Sequence, residues 1–201
     1  MIKLFQRVNS INKKNKNYGN GSYFFNSFEL ASECSSCVNE YELDERELHV
    51  LDLTTSDTNI LDLLSVLVSN RLIPFKNELM EEVYSYLMKY HYVDTSNYDV
   101  IISYKMDDYN FRSVRDFLEN TISYEALVRL LNMNKDRVEY VLKTNKAIKQ
   151  IKLISSTEIN LEESNIKYLE KSNEYYKNYL EVTKLDLLKD TFIVDILRKC
   201  E

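Results

Sequence analysis

The sequence predicts an α+β fold, on three observations. Short aromatic or alternating segments gather near the start, at residues 3–7, 22–26, 38–43 and 48–53. Helical stripes of period 3.6 follow, broken by strand-like segments at 98–104, 139–143 and 148–154. From Leu161 onward the pattern is helical, which predicts a C-terminal extension packing back on the core.

Residues 3–7 read as a first strand, and the polar stretch 11–20 as a loop with local positive charge from Lys13, Lys14 and Lys16. Ser22 to Asn26 reads as an aromatic strand. Phe28–Cys37 reads as a short helix, after which Val38–Leu43 and Leu48–Leu53 alternate around the charged turn Asp44–Glu47, as in a meander. Asp57 or Thr58 is placed to cap a helix whose apolar face is Ile60, Leu63, Leu64 and Leu67. Pro74 precedes a second helix with Leu79, Val83, Leu87 and Tyr90 on one side. Tyr98–Tyr104 is the clearest buried strand, and it ends at Asp107 and Asp108, which are placed to cap the helix that follows. Helices are predicted over 110–119 and 123–132, the second capped by Ser123. Strand character returns at Glu139–Lys143 and Ile148–Ile154. In the tail, Ile166, Leu169, Tyr176 and Leu180 form one stripe and Phe192–Leu197 a last apolar patch. That stripe either packs on the core or docks a partner. The division expected is a domain over 1–155 and the helical extension over 156–201.

Composition narrows the function. The net charge of −6 argues against a protein that grips nucleic acid chiefly by neutralising phosphates, although a local basic cleft stays open. No run of about 18 apolar residues occurs and the start lacks a signal-peptide pattern, so a cytoplasmic protein with no membrane partner is expected. Three cysteines and two histidines do not make a zinc site or a disulfide framework. Cys34 and Cys37 are expected to be helical and reduced, and His49 and His91 structural. The abundance of Lys, Asn, Ile and Tyr reflects an AT-rich genome. Against this background the chain's 2 glycines, Gly19 and Gly21, stand together ahead of an aromatic strand. A turn built there needs φ > 0 or a close backbone approach.

Three separated pieces resemble a known family. Gly19-Asn20-Gly21-Ser22-Tyr23-Phe24-Phe25 resembles the Gly-x-Gly-Ile/Phe-Tyr-Phe/Leu turn of the ADP-ribosyltransferase fold, in the branch holding diphtheria toxin and the poly(ADP-ribose) polymerases. Glu139-Tyr140-Val141-Leu142-Lys143 resembles the later strand that opens with the catalytic glutamate. Leu4-Phe5-Gln6-Arg7 stands where the family has Leu-Tyr-His-Gly. The order of Val38–Leu43, Asn70-Arg71, Tyr98–Ile102, Asp107-Asp108 and Asp116–Leu118 is similar to an uncharacterised bacterial domain family with this fold, over residues 2–155.

The resemblance implies split antiparallel sheets with flanking helices, and chemistry on NAD as substrate with no metal. Nicotinamide leaves, and an acceptor attacks the ribose carbon through an oxocarbenium-like state. Glu139 would hold a ribose hydroxyl and stabilise the developing positive charge. Tyr23 would stack on the nicotinamide ring, and Gly21 would let the backbone approach the dinucleotide. Gln6 replaces the histidine that bonds the adenosine ribose, and its amide can both donate and accept. Arg7 replaces the following glycine and narrows the pocket. Arg7, Ser22 and Glu139 also match the Arg, Ser and Glu of the arginine-specific toxin branch. The activity implied is transfer of ADP-ribose to a protein or nucleic acid inside a bacterial cell, as the toxin of a toxin–antitoxin or phage-defence system with a neutralising partner. NAD hydrolysis, a non-catalytic NAD- or ADP-ribose-binding module and a partner-binding protein are the alternatives.

Overall fold

The computed structural model describes residues 1–8, 16–71, 73–184 and 190–199. Seven strands form one mixed sheet: β1 Ile2–Val8, β2 Ser22–Phe25, β3 Cys37–Leu43, β4 Val50–Asp52, β5 Val100–Tyr104, β6 Val138–Leu142 and β7 Ile151–Glu158, in the order β4-β5-β6-β2-β1-β3-β7. The helices are α1 Phe28–Ser32, α2 Ile60–Asn70, α3 Glu78–Tyr90, α4 Asp108–Leu118, α5 Tyr124–Asn132, α6 Asn145–Lys149, α7 Leu161–Val182 and α8 Ile193–Arg198. The fold is α+β as expected. The sheet is not wholly antiparallel, because β4 runs parallel to β5.

Alternation along the strands sorts the sheet into two faces. Ile101, Val141 and Tyr23 join the main core with helices α2 to α5, α7 and α8. Val100, Ile102, Leu142 and Phe24 face a second core with Leu4, Leu43 and Ala147. Between β2 and β1 the ladder narrows to the single pair Phe5↔Phe25, while β1 and β3 pair in register from Ile2↔Leu43 to Val8↔Cys37.

Several local expectations are corrected. The segments 38–43 and 48–53 are not a meander: β3 lies between β1 and β7, and β4 is the opposite edge. Alternation marks which faces a strand presents and leaves its neighbours undetermined. The helix begun at Phe28 ends at Ser32, and Cys34 follows with φ 54 in the left-handed region, so neither Cys34 nor Cys37 is helical; both are free thiols. Asn59, not Asp57 or Thr58, caps α2. The packed face of α3 is Met80, Val83 and Leu87, leaving Tyr90 exposed. Residues 145–149 are helical, and β7 begins at Ile151 as an exposed edge.

The largest correction is in the tail. Ile166, Leu169, Tyr176 and Leu180 face solvent, and α7 packs through Tyr175 and Tyr179 instead. Those tyrosines bury their rings and bond their tips, Tyr175 donating to Ser113 Oγ at 3.0 Å and Tyr179 to Asp116 at 2.5 Å. Two stripes of equal period compete on this helix, and the amphipathic one is buried. Residues 11–15 of the basic loop, and Cys200, lie outside the described residues.

Candidate functional site

β6 carries Glu139 into the middle of the sheet, opposite Phe25 of β2 and Ser103 of β5. Residues directly opposite share a face, so Glu139, Ser103 and Phe25 point into the helical layer. Tyr23, two residues before Phe25, shares that face. Arg7 reaches it from β1, with its guanidinium 4.7 Å from the centre of the Phe25 ring and Nη2 donating to Leu30 O at 3.1 Å. The structure therefore gathers Glu139, Tyr23 and Arg7. Gln6 and Ser22 have the opposite parity: Gln6 accepts from the Tyr41 hydroxyl at 3.4 Å on the other face, and Ser22, two residues before Phe24 and opposite Leu142, lies on the face of the second core.

Glu139 is 5% exposed, and its buried Oε1 has no hydrogen-bond partner; the same holds for Ser103 Oγ across the ladder and for Arg7 Nε. Burial pushes the Glu139 carboxyl up to about 8, with Asp107 adding to the rise and Lys105, Arg7 and the Asn17 amide opposing it. At neutral pH it is therefore mostly protonated. Unpaired buried polar atoms are rare in folded proteins and call for a specific cause.

Beside Glu139 lies a buried ionic cluster. Glu33, just after α1, receives Lys105 Nζ at 2.7 Å, a forked pair from Arg137 at 2.9 and 3.0 Å, and Lys171 Nζ of α7 at 2.8 Å. Asp107 bonds Lys105, and Arg137 Nη2 at 3.0 Å. Burial opposes charge on Glu33, yet Lys105 and Arg137 override it and hold the carboxyl well below the usual range. The expected capping role of Asp107 is thereby corrected: it occupies the N-cap position of α4 without a side-chain cap bond, its carboxylate being committed to the cluster. Asp108 pairs with Arg71, whose guanidinium also bonds Asn17 Oδ1 at 3.1 Å.

The glycine turn is accounted for by packing. Gly19 has φ +89, and a Cβ on Gly21 would stand 2.7 Å from Val141 Cγ1 and 2.8 Å from Leu142 O, so Gly21 lets β2 close on β6. The Tyr23 hydroxyl donates to Gly19 O at 2.7 Å and accepts from Tyr18 N at 3.2 Å, which ties the ring to the turn. His91 is structural: its ring bonds Asp62 of α2 at 2.8 Å and Tyr86 of α3 at 3.2 Å. No group of three or more His, Cys, Asp or Glu placed to hold a metal ion occurs among the described residues. No helix among them is long and apolar enough to cross a membrane.

A family described as a protein of unknown function (DUF3990) matches residues 5–153. The chain belongs to this family. The matched stretch enters all seven strands and contains Glu139, Tyr23 and the cluster apart from Lys171, while α7 and α8 lie beyond it. No curated protein and no solved structure matches the chain.

Sequence reasoning missed Glu33, Lys105, Arg137 and Ser103. One signal was present: Lys105 directly continues the buried strand Val100–Tyr104, where a lysine is costly unless paired. Glu33 and Arg137 carry no such mark, since surface charges have the same sequence neighbourhoods.

Proposed function

We propose that this protein is an NAD-dependent ADP-ribosyltransferase acting on a macromolecule inside the cell, built on an ADP-ribosyltransferase-like sheet whose halves meet at the thin β1–β2 junction. The observation that carries this reading is the unpartnered carboxyl oxygen of Glu139, on one face with Tyr23 and Arg7. In the proposed reaction the bond from ribose C1′ to the nicotinamide nitrogen breaks, and nicotinamide leaves with the electron pair. An acceptor nucleophile then bonds C1′ and loses its proton. Ionised Glu139 accepts a hydrogen bond from a ribose hydroxyl and stabilises the oxocarbenium charge. Arg7 supplies positive charge for the diphosphate, and Tyr23 an aromatic wall. The setting we propose is a toxin of a toxin–antitoxin or phage-defence system, its acceptor a protein or nucleic acid and its neutralising partner an antitoxin.

A second reading has its own support. Tyr23 and Glu139 are each 5% exposed, and the Tyr23 hydroxyl is already bonded within the turn. Those features favour a non-catalytic module that binds NAD or ADP-ribose after an opening motion, or a partner-binding protein on the same fold. Incubating the wild type and Glu139→Ala with labelled NAD and cell lysate separates the readings. Transfer of label to protein or nucleic acid by the wild type, cut about 100- to 10,000-fold in the variant, supports the transferase. Free ADP-ribose without transfer indicates hydrolysis. Thermal stabilisation by NAD with no nicotinamide release indicates the binding module. Activity retained in Glu139→Ala rejects the assignment.

A further inference from the structure

The side of α7 away from Tyr175 and Tyr179 carries a pattern that the packing of this chain uses only at its margin, where the Arg112 guanidinium of α4 lies 5.5 Å from the centre of the Tyr176 ring. Ile166, Leu169, Tyr176 and Leu180 are 51%, 59%, 48% and 50% exposed, although α7 already packs through Tyr175 and Tyr179 on its other side. With Asn173 they follow alternating steps of three and four residues, the a and d positions of a two-helix coiled coil with a polar residue at a central a position. The flanking e positions are Glu170 and Lys177. Both are exposed, and neither forms an ion pair or hydrogen bond within the described residues.

We infer that α7 pairs antiparallel with α7 of a second copy of this chain, about a two-fold axis passing between Asn173 and Tyr176. In that register Leu169 of one copy meets Leu180 of the other, Asn173 meets Tyr176, and both contacts recur by symmetry, as an isologous interface requires. The amide of Asn173 finds the phenol of Tyr176 as its polar partner. Glu170 of each copy lies beside Lys177 of the other, giving two reciprocal ion pairs. Charge selects this arrangement over its rivals. Sliding the helices by one heptad sets Glu170 against Glu170, and a parallel pairing places Asn165 against Glu170 and Ser172 against Lys177, with no opposite charges matched. Four central layers on one helix make a small interface beside the roughly 800 Å² per partner of a standard complex, so the dimer is expected to dissociate on dilution.

Sedimentation velocity on the full chain under reducing conditions, from low micromolar to several hundred micromolar, tests this. The mass should rise from 23.9 kDa toward twice that value. Lys177→Glu opposes like charges at both symmetric positions and should weaken the dimer at least about tenfold, and Glu170→Lys combined with Lys177→Glu should restore it. Leu169→Asp should leave a folded monomer by circular dichroism, because Leu169 faces solvent in the single chain. A wild type that stays monomeric over the whole range overturns the inference. So does a Lys177→Glu variant as dimeric as the wild type, or a folded double variant that fails to recover the dimer.

Discussion

Glu139 holds its proton in the folded chain up to about pH 8, whereas its ordinary value is 4.5. Between these values the native state binds a proton that the unfolded chain has released, so its stability contribution is full below 4.5 and is lost as pH rises to about 8. The loss is on the order of 5 kcal/mol at most. Glu139→Gln should therefore melt well above the wild type at pH 9 and close to it at pH 5; melting curves at the two pH values check this, and equal curves at pH 9 would refute it. The same proton governs the proposed chemistry. Transfer by the wild type should rise with pH through about 8 as the carboxylate forms, and a pH–rate profile tests it. Lys105 presents the opposite case, a cation 2% exposed and held between Glu33 and Asp107. Lys105→Met leaves those carboxylates short of a counter-charge and should cost about 3–5 kcal/mol in denaturant unfolding.

At the scale of elements, features set by near neighbours in sequence were legible. Ser123 caps α5 by accepting from Ala126 N at 3.1 Å; Ser123→Ala should cost about 1 kcal/mol. The strands carrying Tyr23 and Glu139 were placed from their aromatic and β-branched runs. What failed were choices between local patterns of equal strength. Asp107 could cap or pair, and a buried lysine two residues away decided for pairing. The two stripes of α7 have the same period; Ser113 and Asp116 of α4 offer hydrogen-bond partners to the hydroxyls of Tyr175 and Tyr179, and that decides which stripe is buried.

For the whole molecule, the tail belongs to the core. Tyr175, Tyr179, Ile193 and Leu197 are buried with the helices of the first 155 residues, and Lys171 closes the ionic cluster. Removing residues 161–201 should therefore expose apolar surface and abolish the cooperative melt, whereas Leu169→Asp should melt like the wild type. Dye binding and calorimetry on the two proteins make the comparison; a truncated chain with a native-like transition would show the tail to be an appendage.

The sequence by itself determined the α+β class, most strand and helix positions, the glycine turn and the two residues, Tyr23 and Glu139, that the sheet sets on one face. The class, the element positions and the turn follow from period, propensity and chain punctuation, which act over a few residues, whereas Tyr23 and Glu139 are singled out by the resemblance of Gly19–Phe25 and Glu139–Lys143 to family motifs. Only the tertiary structure decided that β4 is an edge beside β5, that Gln6 and Ser22 turn away from Glu139, and that Glu33, Lys105 and Arg137 join in an ionic cluster beside it. Strand order and the pairing of buried charges depend on contacts between residues far apart in the chain, and no local pattern encodes which distant partner arrives.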